Sequence, residues 1–220
     1  MFRIGLPAGA ELGILGVYLI LVYAAIRHFG TAAQGGFAIG ARIMQSLILP
    51  AVAVGMANAP IAGQNYSSNK FLRVRKGFWA ACMLGSIVML LLTAVCQFKP
   101  EAIVRLFSRQ DDVVAVGAGY LRVISFTFLA TGLIFASSSV FQGLGNTGPP
   151  FLSSVIRLFA FAVPVLLLLH LPGLTLRHVW LLSAASIWVQ AFANLWFLRK
   201  EFRNKLGGFH EDMTHEEALR

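Results

Sequence analysis

Charge is scarce in this chain. Only 12% of the 220 residues are charged and Asp and Glu together number nine, where soluble domains carry about 25% charged residues. With 57% hydrophobic residues and a mean hydropathy of +0.73, this shortage excludes a soluble globular fold, whose surface tolerates only small apolar patches. Cysteine is nearly absent too. Cys82 and Cys96 fall in one apolar run, about 20 Å apart along a helix, which excludes a disulfide between them. The histidines (His28, His170, His178, His210 and His215) show no HExxH-type spacing, so no metal site is expected. No GxSxG serine accompanies a usable histidine, so no catalytic residue is assigned and the chain is not expected to be an enzyme.

What the chain has instead is long apolar runs, over residues 4–26, 37–62, 77–98, 121–141, 152–171 and 180–198. Runs of about 20 residues match a hydrocarbon core about 30 Å thick, and a helix satisfies every backbone group inside it. The expected fold is therefore an all-α integral membrane protein, a bundle of about six transmembrane helices over residues 1–199. A basic, then acidic tail over 200–220 is expected to be cytoplasmic and disordered. The first run is too long for a signal peptide and lacks its small-residue cleavage site, so it is read as a retained helix.

A net charge of +9 and a pI near 10.3 would raise nucleic acid as a partner for a soluble protein. Here most Lys and Arg flank apolar runs, notably Lys70, Arg73, Arg75 and Lys76, then Arg199, Lys200, Arg203 and Lys205. Positive charge held on the cytoplasmic side accounts for them. The expected partner is thus the lipid bilayer and not nucleic acid. Both termini face the cytoplasm, in a plasma membrane of bacterial inner-membrane type. The loops at 28–34, 99–118 and 172–178 then face outward. The long outward loop carries Lys99, Arg105 and Arg109, against the denser basic cluster of 67–76 on the inner side. Its Ile103, Val104, Leu106 and Phe107 indicate a short helix lying at the interface.

Glu11 is the one acidic residue well inside a run. Burying its charge is expensive, which makes it a functional candidate and a proton carrier. The competing reading is that it sits about two turns from the cytoplasmic end and snorkels or bonds a neighbouring helix. Tyr18 shares its face, while Gly9, Gly13 and Gly16 form a small-residue stripe on the opposite face, suited to helix contact. Arg42, Arg122 and Arg157 lie near run ends and are read as snorkelling to the interface. Gln45, Ser46, Asn58, Gln64, Thr131, Ser137, Ser138, Ser139 and Gln142 either line a polar cavity or bond helix to helix.

Gly143, Gly145 and Gly148 formally satisfy GxGxxG, yet an apolar helix precedes them and no acidic residue follows at the required distance. A tight cytoplasmic turn is the better reading. Asn65-Tyr66-Ser67 matches a glycosylation acceptor but falls on the cytoplasmic side.

Three local sequences stand out together: Gly5-Leu6-Pro7-Ala8, Gly63-Gln64-Asn65, and Phe141-Gln142-Gly143-Leu144-Gly145-Asn146-Thr147. Ala41-Arg42-Ile43 and Tyr120-Leu121-Arg122 lie between them. In this order and spacing the chain resembles the multidrug and toxic compound extrusion (MATE) family, over nearly its whole length. The resemblance implies a twelve-helix architecture of two six-helix lobes around a cleft, of which this chain resembles the C-terminal lobe. It also implies antiport, exporting amphipathic organic cations against Na+ or H+ with no cofactor. The expected partner is a second six-helix lobe, supplied by a separate chain, a missing N-terminal half or a homodimer. Substrate or ion-pathway candidates are Glu11, Tyr18, Gln45, Asn58, Thr131 and Gln142; Pro7, Gly63, Gln64, Gly143 and Gly145 match family positions as packing and turn residues. The acids that one branch uses for coupling are replaced here by Leu15 and Thr131. The alternative expectation is a truncated or non-transporting membrane subunit that associates with another transporter half.

Overall fold

A computed structural model describes residues 2–169 and 173–205; the side chains of residues 2–8 and Leu12 are outside the description. Pro7 as a side chain, His170, His210, His215 and the tail from 206 onward therefore lie outside the described residues. Among those described, all regular structure is helical: α1 (Phe2–Ile26), α2 (Thr31–Leu47), α3 (Leu49–Ser67), α4 (Phe71–Phe98), α5 (Pro100–Arg105), α6 (Asp111–Ile124), α7 (Phe128–Gly143), α8 (Gly148–Leu168) and α9 (Leu176–Lys205). They make six spans long and apolar enough to cross a bilayer: α1, α2 with α3, α4, α6 with α7, α8, and α9.

Two spans are broken in the middle. Pro50, in the first turn of α3, cannot donate a backbone N–H, and α2 ends at Leu47 just before it. The α6–α7 span passes through a 3-10 turn at Ser125–Thr127. Its loosened carbonyls are met by α4, where Thr93 Oγ1 donates to Ser125 O at 2.9 Å and Gln97 Nε2 donates to Arg122 O at 2.7 Å.

The α6–α7 span is the central post of the bundle. The α2–α3 span packs along it, with α4 against α3 and α7, while α9 lies on its other side, α8 on α9 and α1 on α8. Close approach depends on small residues. A Cβ on Gly143 would stand 2.6 Å from the Ala59 carbonyl oxygen, and one on Gly63 would stand 3.1 Å from that of Gly143. Just beyond, Gly145 adopts φ +70°, and Asn146 N–H bonds Phe141 O at 2.9 Å, closing the turn before α8. Asn146 Nδ2 donates to Glu201 Oε1 at 2.9 Å, which ties that turn to α9.

Several expectations change. The expected outer loop over 99–118 is mostly helix, because Asp111 and Asp112 open α6, where acidic residues favour the helix dipole. The short helix is present as α5, but it does not lie wholly at the interface. Val104 is fully buried and Ile103 packs on the core, whereas Leu106 and Phe107 are exposed. The second span begins at Thr31, well before residue 37. Residues 200–205, expected in the tail, continue the last helix. The Gly9, Gly13 and Gly16 stripe meets no other helix among the described residues, since a Cβ on any of them would find nothing of those residues within 4 Å.

Candidate functional site

Between five of the six spans lies a cavity of about 560 Å³, lined from α1, α2, α3, α6, α7, α8 and α9, within the usual size range of small-molecule sites. One end is closed by aromatic rings. Phe37 stacks on Trp180 with centroids 5.5 Å apart, and Tyr120 meets both edge-on at 5.3 and 5.0 Å. Elsewhere the wall includes Leu15 and Met56, which are 43% and 72% exposed, so the cavity opens to the outside of the bundle there.

The polar residues of the wall are joined by an oriented chain of hydrogen bonds. Arg157 Nη1 donates to Gln190 Oε1 at 3.3 Å, Gln190 Nε2 to Ser154 Oγ at 3.0 Å, and Ser154 Oγ to Glu11 Oε1 at 3.1 Å. Arg157 also lies 4.4 Å above the centre of the Tyr18 ring, whose hydroxyl bonds Ser183. Ser154 has a second acceptor in Pro150 O at 3.2 Å. Its single proton can thus point to Glu11 when that carboxylate is charged, or to Pro150 when Glu11 is protonated and itself the donor. The site thus holds a carboxylate and a guanidinium, kept apart by neutral amide and hydroxyl groups.

Of the residues expected from the sequence, Glu11, Tyr18, Gln45, Thr131 and Gln142 stand on this wall, as do Ser138 and Ser139. Thr131 spends its hydroxyl on Thr127 O, at 2.9 Å. Asn58 lies off the wall, buried between helices and donating to Ser139 Oγ at 2.9 Å. Gln64 is exposed at the end of α3, where its carbonyl caps Ser67 and Ser68. Leu15 lines the cavity as an apolar group.

The snorkelling expectation for Arg157 is overturned. Its helix starts at Gly148, so it sits about 14 Å of helix rise from that end and lines the cavity. Ser154, Ser183 and Gln190 were also missed. Their signal was spacing: Ser154 and Arg157 are three apart, Ser183 and Gln190 seven apart, each pair on one helical face.

The MatE family model matches residues 7–168. The probable multidrug resistance protein YoeA of Bacillus subtilis is 23% identical over 75% of the chain and 36% of its own length. The multidrug export protein MepA of Staphylococcus haemolyticus is 27% identical over 66% of the chain and 32% of its own. The solved Vibrio cholerae MATE transporter VcmN, in its bent form, superposes with a TM-score of 0.84 at 21% identity, over 93% of this chain and 46% of that one. The chain thus spans less than half the length of each of these proteins.

Proposed function

Because the chain belongs to the MatE family, we propose that it is one lobe of a secondary transporter that exports amphipathic organic cations against inward Na+ or H+. A second six-helix lobe completes the cleft, and transport proceeds as one bundle rocks against the other. The observation that carries this reading is Glu11 on the wall of a largely apolar cavity, where it is the one acidic residue among aromatic, aliphatic, amide and hydroxyl groups and Arg157. The apolar wall receives the body of an amphipathic cation, and aromatic faces attract its charge. A carboxylate can hold a proton or neutralise a bound cation, but not both at once. Loading the coupling ion therefore expels the cargo, and the two fluxes are exchanged. The orientation follows from the basic segment 70–76, with both ends of the chain cytoplasmic in a bacterial inner membrane.

The test is a cation-efflux assay in cells that express this chain with and without a candidate first lobe. Export is expected only with both. Glu11→Gln should abolish it at unchanged expression. Undiminished efflux by Glu11→Gln would reject the role of that carboxylate.

A further inference from the structure

We propose that Arg157 is an oxyanion-binding group of the cavity, so that the preferred cargo is a zwitterionic amphiphile with a carboxylate as well as a cationic centre. This rests on the reading of the cavity as a cargo site.

A guanidinium is a fixed cation, and one deep in a membrane span is retained only where something compensates it. Among the described residues the ion pairs are Arg105 with Asp111, Arg122 with Glu101, and Lys205 with Glu201. Arg157 is in none of them. Its charge is met by a ring face and by one amide oxygen at 3.3 Å, a long contact for a charged donor. Its Nε is buried and makes no hydrogen bond. The guanidinium thus spends an Nη1 donor on a neutral amide and leaves Nε without a partner.

Glu11 does not pair with Arg157. It is reached only through Gln190 and Ser154, which keep carboxylate and guanidinium at opposite ends of a chain of neutral groups. Had the two paired directly, each would have silenced the other. Held apart, they offer two recognition points on one wall: Glu11 for a cationic centre, Arg157 for a carboxylate. The Tyr18 ring covers one face of the guanidinium, so a carboxylate would approach in the plane of its terminal Nη groups, where Nη1 is held only by the long contact to Gln190. Tyr18, Phe37 and Tyr120 on the same wall suit an aromatic body between the two ends.

The experiment measures binding of rhodamine B, whose carboxylate is free, and of rhodamine B ethyl ester, by fluorescence anisotropy on the full chain in lipid nanodiscs. The free acid is expected to bind more tightly by about tenfold or more, as one charge-assisted pair would give. Arg157→Gln should bring the acid down to the affinity of the ester, while Arg157→Lys keeps part of the preference. Equal affinities in the unmodified chain, binding of neither dye, or a preference that survives Arg157→Gln would overturn the proposal. If Arg157→Gln fails to fold, the unmodified chain and Arg157→Lys decide by the same criterion. Export of both dyes with a first lobe but without acid preference overturns this inference and leaves the transport reading standing. Acid-selective binding without export in that assay does the reverse.

Discussion

Asn58 and Arg157 are both polar groups inside apolar helices, yet they serve different ends. Asn58 is buried, bonds Ser139 and packs its Oδ1 against Gly77 of α4. Asn58→Ala removes one interhelical hydrogen bond, worth about 0.6 kcal/mol on average and at most about 1.7 within a membrane. Ser139 keeps its own bond to Ala136 O, so no orphaned donor adds to the loss. A small drop in unfolding temperature in detergent is expected, with dye binding unchanged; a variant that unfolds normally but binds no dye would put Asn58 at the site after all. That polar residues occur in these runs was legible from the sequence, but which of them share a space was not. Glu11 and Tyr18 were placed together by their spacing within one helix. Arg157 was misread because its run was taken to begin at 152 and Gly148 was left in the preceding turn, whereas Gly148, Pro149 and Pro150 open α8. Proline is at home in the first turn of a helix, and four residues of added helix carried Arg157 from the interface into the cavity.

Helices were legible as elements, and their breaks and packing partners were not. The run over 37–62 read as one helix straight through Ile48, and the run over 121–141 left most of α6 in the outer loop, so neither break was seen, though each half of these spans packs differently. The α2 half lies on α6, and the α3 half on α7. At the second of these contacts the backbones meet at Gly143, where a Cβ would stand 2.6 Å from Ala59 O and 2.9 Å from Gly63 N. These are backbone atoms, which yield only if the helices separate. Gly143→Leu should therefore cost about 1–3 kcal/mol, a larger fall in unfolding temperature than Asn58→Ala produces. Gly13→Ala is the control: with open space at its Cβ and the better helix propensity of alanine, it should leave the isolated bundle unchanged or stabilise it by up to about 1 kcal/mol. An equal response of the two variants would mean that glycine spacing alone, without the contact at Ala59, governs stability.

At the scale of the whole molecule, the six spans leave the cavity open on one side. Leu15 and Met56 line it while remaining exposed, and their apolar side chains require either lipid or protein beside them. Lipid against the mouth would let acyl chains enter next to Glu11 and Arg157, where charged groups are costly to leave in hydrocarbon. A second lobe would close the mouth and supply the other wall of a cleft. Because each lobe has an even number of spans, two copies inserted with the same orientation could do this as well as two different chains. Cys82 and Cys96 are buried, so replacing both by alanine gives a background in which Met56→Cys is the single thiol. In native membranes, a short thiol-to-amine crosslinker at that position is expected to trap a two-chain species. A mass twice that of the chain identifies a second copy, and any other mass a separate first lobe. Recovery of the chain only as a monomer, with lipid in place of protein at the mouth, would contradict the completed cleft that export requires.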